Sequence, residues 1–343
     1  MTPDDTALAA LADWRTQALA LEAQVGQAVV GQAPLIRLIN IAVYARGHVL
    51  LEGDVGVGKT TLLRAFARAI GGAFERVEGT VDMMPNDLLY HTYLGEDSRP
   101  HVDPGPLLKH GTQLATFFFN EINRARPQVQ ALMLRAMAER SATAFNREYA
   151  FPHLLVFADR NRVEKEETFE LASAARDRFM FELAVETPTD PAVQRALIFD
   201  PAFHDADTLI ERVPAAQVRH DELNRIAAAI QVAMQVSQPL QDYVHRLWQA
   251  TRDPAAAGVN LAGVDMARLV AAGASPRAIS MLMRAARVAA WLAGRSYVVP
   301  EDVQAVFAES LRHRIFFTPV YEMRRAEIAD ALVAGILARV TAP

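Results

Sequence analysis

The sequence predicts an α/β fold followed by an all-helical C-terminal domain, and three observations support this. Up to residue 187, short apolar runs alternate with helical patterns, which is typical of a sheet with helices on both faces. One of these runs leads into a glycine-rich loop. After Pro188, only helical periodicity persists. Because residues 187–191 read Thr-Pro-Thr-Asp-Pro, we expect an α/β domain over residues 1–187 and a helical domain over residues 188–343.

Short apolar runs bounded by glycine or polar residues predict buried parallel strands. They occupy residues 48–52, 116–120, 154–158 and 179–183, with a weaker candidate at 74–78. Apolar residues at helical spacing predict the helices. These cover residues 5–24, 33–44, 127–139, 190–199, 221–236, 239–250, 276–293, 301–313 and 321–339. The helix at 276–293 has clear limits, since Ser275 is a good N-cap, Pro276 suits the first turn and Gly294 suits the C-terminal stop.

The composition is that of a folded protein and excludes several functional classes. Of the 343 residues, 51% are hydrophobic and 22% are charged, which is enough apolar content for a sizeable core. The chain has no cysteine, which excludes disulfides, zinc ribbons, iron–sulfur centres and a thiol nucleophile. Its net charge of −5 disfavours sequence-independent binding of nucleic acid. The N-terminus is acidic and no apolar stretch approaches the roughly 20 residues that span a bilayer, so we expect a soluble, cytoplasmic protein.

A phosphate-binding loop follows the apolar run at 48–52. Residues 53–60 read Gly-Asp-Val-Gly-Val-Gly-Lys-Thr and match the pattern G-x-x-x-x-G-K-[ST]. The glycines let backbone N–H groups surround phosphates, and the helix that follows adds the positive end of its dipole. Lys59 is expected to reach the β- and γ-phosphates, and the Thr60 hydroxyl to bind Mg²⁺. We predict that ATP and Mg²⁺ are bound here by Gly53, Asp54, Val55, Gly56, Val57, Gly58, Lys59, Thr60 and Thr61.

The apolar run at 116–120 ends in a second polar site. In P-loop NTPases, an acid at the end of a neighbouring strand holds the water shell of Mg²⁺, and a following glutamate often polarises the attacking water. Glu121 is the predicted catalytic base. Asn120 is the predicted metal-facing residue, but it stands where an aspartate is expected and adds no charge. The rate of hydrolysis is therefore open.

Three further motifs, together with the phosphate-binding loop, resemble the MoxR family of AAA+ ATPases. They are Glu-Ile-Asn-Arg-Ala at 121–125, Asp-Pro-Gly-Pro-Leu at 103–107 and Gly-Ala-Ser-Pro-Arg-Ala at 273–278. The resemblance extends from Val30 to Arg314, which is nearly the whole chain. It implies a P-loop AAA+ core with a parallel five-stranded sheet flanked by helices and a C-terminal helical lid. It also implies a ring, usually hexameric, with its sites between subunits.

The resemblance assigns roles by motif. Asn161 is expected to be sensor 1, which places the attacking water near the γ-phosphate. Arg178 is expected to be the arginine finger, which reaches the next subunit's site and stabilises charge in the transition state. Arg277 is expected to be sensor 2 on the lid, in contact with the nucleotide. The resemblance further places three residues near the adenine: Val30, Gly31 and Gln32.

Several positions depart from the family's pattern. The second motif reads Asn120-Glu121 rather than an acidic pair, and residues 159–162 read Asp-Arg-Asn-Arg rather than Thr-Gln-Asn-Pro. Residues 171–176 read Leu-Ala-Ser-Ala-Ala-Arg rather than Leu-Pro-Glu-Ala-Gln-Leu, and Arg135 stands where the family usually has glutamate. All these positions belong to hydrolysis or to the subunit interface, whereas the phosphate-binding loop is intact. The departures are consistent with slow hydrolysis, or with a substituted residue at position 120.

Two segments of the first domain are candidates for mechanical elements. Residues 88–106 are expected to form a small insertion, and residues 141–151 a β-hairpin that turns near Asn146 and Arg147. In related rings such elements face the pore or a partner. Ordinary surface hairpins are the equally weighted alternative.

Three functions are compatible with the sequence. The leading one is an ATP-driven ring chaperone that remodels or activates a partner, since MoxR relatives commonly work with von Willebrand factor A-domain proteins and in metalloenzyme maturation. The chain has no D-x-S-x-S motif, so such a partner would be a separate polypeptide. The alternative is a nucleotide-gated assembly scaffold with little or no hydrolysis, because Asn120 replaces the usual aspartate.

A third function, that of a nucleic-acid motor, is disfavoured by the net negative charge. The sequence contains no cluster of metal ligands and no nucleophile elbow that would indicate a metabolic enzyme.

Overall fold

The computed structural model describes residues 3–96, 98–161 and 169–343. Clustering of contacts divides the chain into two compact units. One unit, which contains the phosphate-binding loop, comprises Thr16–Arg178 and Leu183–Asn224. The other comprises Met1–Arg15, Phe179–Glu182 and Arg225–Pro343.

The strands of the central sheet follow the apolar runs of the sequence, and in the described part of the chain three pairs of short strands lie outside that sheet. In chain order the strands are β1 (His48–Gly53), β2 (Ala73–Glu78), β3 (Tyr90–Leu94), β4 (Pro100–Pro104), β5 (Leu114–Asn120), β6 (Ser141–Ala144), β7 (Arg147–Ala150), β8 (Leu155–Arg160), β9 (Phe179–Val185), β10 (Val270–Ala272) and β11 (Phe316–Phe317). All five predicted sheet strands are present, including the weak candidate at 74–78.

The predicted helices are present with bounds that shift by a few residues, except that the one at 321–339 is interrupted at residues 323–324. Four short helices were not predicted, at 85–89, 173–176, 206–211 and 266–269. In chain order the helices are α1 (Pro3–Ala28), α2 (Ala33–Tyr44), α3 (Lys59–Ile70), α4 (Pro85–Leu89), α5 (Pro127–Glu139), α6 (Ser173–Arg176), α7 (Pro191–Phe199), α8 (Ala206–Glu211), α9 (Leu223–Ala233), α10 (Gln238–Arg252), α11 (Met266–Leu269), α12 (Pro276–Leu292), α13 (Pro300–Leu311), α14 (Pro319–Glu322) and α15 (Arg325–Arg339). In the described part of the chain, none of them combines the length and the apolar character that a membrane span requires.

The central sheet has five strands in the order β2-β5-β8-β1-β9, and five is the number of strands that the resemblance implies. β2 pairs with β5, β5 with β8, and β8 with β1, each in parallel. Every residue of β5 is buried, so both faces of this strand are covered. Phe117, Phe118 and Phe119 have no exposed surface, and burying each stabilises the fold by roughly 1.5–3 kcal/mol. This apolar packing fixes the carboxyl ends of β1, β5 and β8, where the polar residues of the site follow.

This unit also contains two short hairpins. β3 and β4 pair antiparallel within the segment predicted as an insertion, and β6 and β7 form the hairpin predicted at 141–151. The second hairpin turns at Phe145 and Asn146, which both have left-handed backbone conformations. Phe145 packs its ring against Tyr90 of the first hairpin at a centroid distance of 4.5 Å. The two hairpins are therefore neighbours on one surface.

The second unit is mainly helical. Ser275 caps α12 by accepting a hydrogen bond from the Ala278 backbone N–H at 3.1 Å, and Gly294 ends the helix with a φ of +79°, as the sequence predicts. A small antiparallel sheet of β10 and β11 was not predicted, because strands of three and two residues are too short to show a periodic pattern.

The division into compact units differs from the boundary expected at residues 187–191. Residues 188–224, which include α7 and α8, cluster with the sheet rather than with the helical unit. The backbone N–H groups of Ala216 and Val218 donate to the carbonyls of Arg68 and Ala69 at the end of α3, at 2.9 and 3.1 Å. The change of periodicity at Pro188 therefore marks the end of the strands of the central sheet. Residues 188–224 then return to pack beside α3, the helix that follows the phosphate-binding loop.

Candidate functional site

The phosphate-binding loop connects β1 to α3. Gly56 and Gly58 have φ angles of +82° and +87°, in the left-handed region that side chains rarely adopt. A Cβ on Gly53 would lie 2.5 Å from the Val185 carbonyl oxygen at the end of β9, so this position has room only for glycine. These backbone requirements explain the glycines of the motif, and the chain passes from them directly into α3 at Lys59.

Lys59 points into the site rather than into solvent. The residue is only 7% exposed. Its Nζ donates to the Gly53 carbonyl at 2.7 Å, to the Asp54 carbonyl at 3.4 Å and to Asn161 Oδ1 at 2.5 Å. Because a buried ammonium needs polar partners, these contacts hold a positive charge at the N-terminus of α3. Thr60 and Thr61 follow in the first turn of the same helix.

Glu121 follows β5 directly and is held in an unusual conformation. Its backbone has φ 52° and ψ 49°, a left-handed geometry that is uncommon for a non-glycine residue. Its carboxylate accepts a hydrogen bond from Asn161 Nδ2 at 3.0 Å and pairs with Arg124 at 3.1 Å. The predicted base, the predicted sensor and the phosphate-binding lysine are therefore connected through hydrogen bonds. Strained backbone of this kind is frequent at functional sites.

Asn120 does not stand alone at the end of β5, because Asp159 at the end of β8 lies beside it. With the Asn120 amide oriented so that its partners are satisfied, its nitrogen donates to both oxygens of Asp159, at 3.1 and 3.2 Å. Asp159 also accepts from the Glu121 backbone N–H at 2.6 Å and lies 3.6 Å from Lys59 Nζ. Burial raises the pKa of Asp159, while the Glu121 hydrogen bond and the Lys59 charge act in the opposite direction.

A cleft of about 340 Å³ lies next to the phosphate-binding loop. Its lining includes Val29, Val30, Gln32, Val57, Gly58 and Pro188. Two of the three residues expected near the adenine therefore line a cleft that also contains loop residues. Gly31, the third, has φ +76°, and a Cβ there would approach Pro188 and Val193 to 2.9 Å. Gln32 is fixed by a hydrogen bond from its Nε2 to the Glu186 carbonyl at 2.6 Å. A largely apolar cleft beside the loop suits a nucleotide base.

Arg178 lies far from the phosphate-binding loop of its own chain. The carboxyl ends of β1 and β9 are adjacent, as the close approach of Gly53 and Val185 demonstrates. Arg178 precedes the first residue of β9, which at about 3.3 Å per residue places it roughly 23 Å back along the strand. It is half-buried and donates to the Ala174 carbonyl at 2.7 Å. An arginine at this end of the strand cannot serve its own site.

Arg277 belongs to the helical unit. It is the second residue of α12, in the first turn of the helix, and its side chain is exposed. A cation at a helix N-terminus faces the positive end of the dipole, an arrangement that favours an anionic partner. Arg162, the last residue of the departing motif at 159–162, lies outside the described residues.

The residues present fit a nucleoside triphosphate with Mg²⁺. The loop glycines leave the backbone open for phosphates, and Lys59 supplies charge at the helix N-terminus. The Thr60 hydroxyl and the Asn120 amide offer oxygen donors, which Mg²⁺ prefers. Among the described residues, no group of three or more His, Asp or Glu side chains could hold a metal by itself.

Sequence reasoning missed two contributors to this site. Asp159 directly follows the predicted strand at 154–158, as Glu121 follows the one at 116–120, and this shared position was the available signal. Gly79 follows β2, and its N–H donates to the Asn120 carbonyl at 2.8 Å. A Cβ on Gly79 would lie 2.3 Å from the Glu121 carbonyl oxygen. Glycine at 79 is thus required by the conformation of the predicted base.

Comparisons with known proteins agree with this geometry. The model of the ATPase family associated with various cellular activities (AAA) matches residues 48–181, and an AAA lid domain model matches residues 265–334. Protein MoxR of Methylorubrum extorquens is 60% identical over 335 residues, which cover 98% of each chain. Protein MoxR of Paracoccus denitrificans is 53% identical over 333 residues, covering 97% of this chain and 98% of that one.

Two more distant relatives extend the comparison. The Mycobacterium tuberculosis protein named Chaperone MoxR1 is 34% identical over 314 residues, covering 90% of this chain and 78% of that one. A crystal structure of a candidate ATPase from Cytophaga hutchinsonii superposes with a TM-score of 0.81 at 28% identity, covering 97% of each chain.

Proposed function

Because this chain belongs to the MoxR family of AAA ATPases, we propose that it hydrolyses ATP and uses the energy to remodel or activate a partner protein. The observation that supports hydrolysis most directly is the connection from Lys59 through Asn161 to Glu121, at 2.5 and 3.0 Å. This connection joins a phosphate-binding cation to a carboxylate that can accept a proton. A site built for binding alone has no need of the second group.

The residues divide the reaction between them. The backbone of residues 53–58 and Lys59 hold the β- and γ-phosphates. Glu121 accepts a proton from the attacking water, and Asn161 holds that water and the Glu121 carboxylate in position. Mg²⁺, when bound with Thr60, neutralises charge on the phosphate oxygens. The products are ADP and inorganic phosphate, and the proton passes from Glu121 to solvent.

We propose a homo-oligomeric ring, usually a hexamer in this family, whose sites are shared between subunits. The position of Arg178 supports shared sites, since it lies at the opposite end of β9 from the loop of its own chain. In the ring, Arg178 of one subunit stabilises charge in the transition state at the next subunit's site. Arg277 acts as sensor 2 on the nucleotide, and its exposed position in the first turn of α12 supports this role.

The partner is proposed to be a separate protein with a von Willebrand factor A domain, in the cytoplasm, and the pathway to be the maturation of a metalloenzyme. The printed name of the M. tuberculosis relative, a chaperone, supports action on another protein. Nucleic acid is not a proposed partner, because the net charge of −5 gives little attraction for phosphate backbones.

A nucleotide-gated scaffold is the second candidate, and Asn120 is the observation that favours it. A neutral amide at that position contributes no charge toward Mg²⁺. A scaffold of this kind binds ATP and assembles, but turns the nucleotide over slowly or not at all.

Steady-state ATP hydrolysis separates the two candidates. The purified chain is assayed with Mg²⁺ across a range of protein concentrations, with Lys59→Ala as the blank. A specific activity that rises steeply with concentration is expected for a ring with shared sites. Confirmed ATP binding with no turnover above the blank, alone and with the partner protein, would establish the scaffold instead.

A further inference from the structure

Asp159 is a buried carboxylate at the nucleotide site to which the roles described above give no task. It ends the strand β8, which lies between the loop strand β1 and the strand β5 that ends in Asn120. Phe119 pairs with Ala158 across β5 and β8, so the next residues, Asn120 and Asp159, are neighbours at the carboxyl edge of the sheet. On its other side Asp159 pairs with Leu51 of β1.

Asp159 is a buried carboxylate with hydrogen-bond donors around it. The residue is 1% exposed, and a buried carboxylate requires donors around it. Three donors are present: the Glu121 backbone N–H at 2.6 Å, the Asn120 amide at 3.1 Å and Lys59 Nζ at 3.6 Å. The Lys59 contact is longer than a hydrogen bond, so the Asp159 oxygen that faces Lys59 accepts a hydrogen bond from Asn120 and has a further acceptor position.

Asn120 and Asp159 form a complementary pair. The amide of Asn120 donates to the carboxylate, which an aspartate at position 120 could not do. Two carboxylates at this separation in a buried site would repel each other, and one of them would take up a proton. The neutral residue at 120 is therefore what an acid at 159 requires.

We propose that Asp159 supplies the carboxylate toward Mg²⁺ that Asn120 lacks, so that the metal-facing acid of this site has moved by one strand, from β5 to β8. The inference rests on the proposed function, because it assigns a further residue to the same ATP site. It explains how a site with asparagine at 120 keeps a charge for Mg²⁺ beside Lys59. Asn120 then acts as a positioning residue, which holds the Asp159 carboxylate.

The test exchanges the two residues. Asp159→Asn, Asn120→Asp and the double variant with both changes are compared with the unaltered chain. The control is Asp103→Asn, which makes the same chemical change on the exposed strand β4. Each chain is titrated with the slowly hydrolysed analogue AMP-PNP, once with Mg²⁺ and once with EDTA, and the ratio of the two affinities is recorded. Melting temperatures establish that each variant is folded.

We expect the unaltered chain and Asp103→Asn to bind AMP-PNP at least about tenfold more tightly with Mg²⁺ than with EDTA. Asp159→Asn is expected to reduce that ratio to less than about threefold, and the double variant to restore it. Asn120→Asp alone is expected to give no gain in the ratio or in turnover, and to melt at a lower temperature because of the two adjacent carboxylates.

Three results would overturn the inference. The first is an unchanged Mg²⁺ ratio in folded Asp159→Asn, and the second is a folded double variant that does not regain the ratio. The third is a rise in turnover or in the ratio for Asn120→Asp alone. Because the ratio is measured without hydrolysis, a chain that never turns ATP over contradicts the proposed function but still tests Asp159. If the double variant does not fold, the Mg²⁺ ratios of the single variants Asp159→Asn and Asn120→Asp decide whether Asp159 faces the metal.

Discussion

Asn161 donates a hydrogen bond to Glu121 across 3.0 Å, and thereby ties the end of β8 to the residue that follows β5. The same amide accepts from Lys59 Nζ at 2.5 Å. One side chain thus connects Lys59, the proposed phosphate-binding cation, to Glu121, the proposed catalytic base. Groups coupled in this way in a buried site are not independent, so a change in one alters the others.

Lys59→Ala is expected to weaken ATP binding by roughly 10- to 150-fold. The substitution removes a charged donor, and hydrogen bonds to charged groups contribute about 1.5–3 kcal/mol. Titration with a fluorescent ATP analogue measures the loss. Lys109→Ala is the matched control, since that lysine pairs with Glu75 at 2.8 Å and is largely exposed. Equal affinities for Lys59→Ala and the control would contradict the assignment of the loop.

Glu121→Gln is expected to lower kcat by about 10²- to 10⁴-fold while ATP still binds. Glutamine keeps the shape and can still accept from Asn161, but it cannot take the proton of the attacking water. Phosphate release and nucleotide affinity are measured on the same preparation. Glu139→Gln removes an exposed carboxylate at the end of α5 and should leave both values unchanged. Hydrolysis by Glu121→Gln at the normal rate would show that another group is the base.

Gly79→Ala is expected to slow hydrolysis and to destabilise the fold by about 1–3 kcal/mol. The added Cβ would lie 2.3 Å from the Glu121 carbonyl oxygen, which is backbone and cannot move away without shifting the base. Chemical denaturation gives the stability, and phosphate release gives kcat.

Gly26→Ala is the control for this change, because Gly26 lies within α1 and a Cβ there meets nothing within 4 Å. It should stabilise the chain by roughly 0.5–1 kcal/mol, as glycine is a poor helix former. If Gly79→Ala behaves like Gly26→Ala, with normal kcat, then the conformation of Glu121 does not depend on position 79.

Local sequence patterns were sufficient to locate the sheet strands and the phosphate-binding loop. The run at 116–120 is apolar throughout because β5 is covered on both faces, and the loop glycines are required by backbone geometry. Asp159 was not predicted as a site residue, because its role arises from the pairing of β5 with β8, which no local pattern contains. The same holds for Gly79, which is distant in sequence from Glu121 but in close contact with it.

Mixing two inactive variants tests the central claim, an ATPase ring with shared sites, most directly. Lys59→Ala lacks a working site but keeps Arg178, whereas Arg178→Ala keeps the site but lacks the finger. An arginine finger contributes about 10³–10⁵ in kcat, so each variant alone is expected to be inactive. Rings assembled from both should regain a substantial fraction of the normal ATP turnover, because some sites combine an intact loop with a neighbour's Arg178. Normal turnover by Arg178→Ala alone, or no recovery in mixed rings of normal size, would contradict the account.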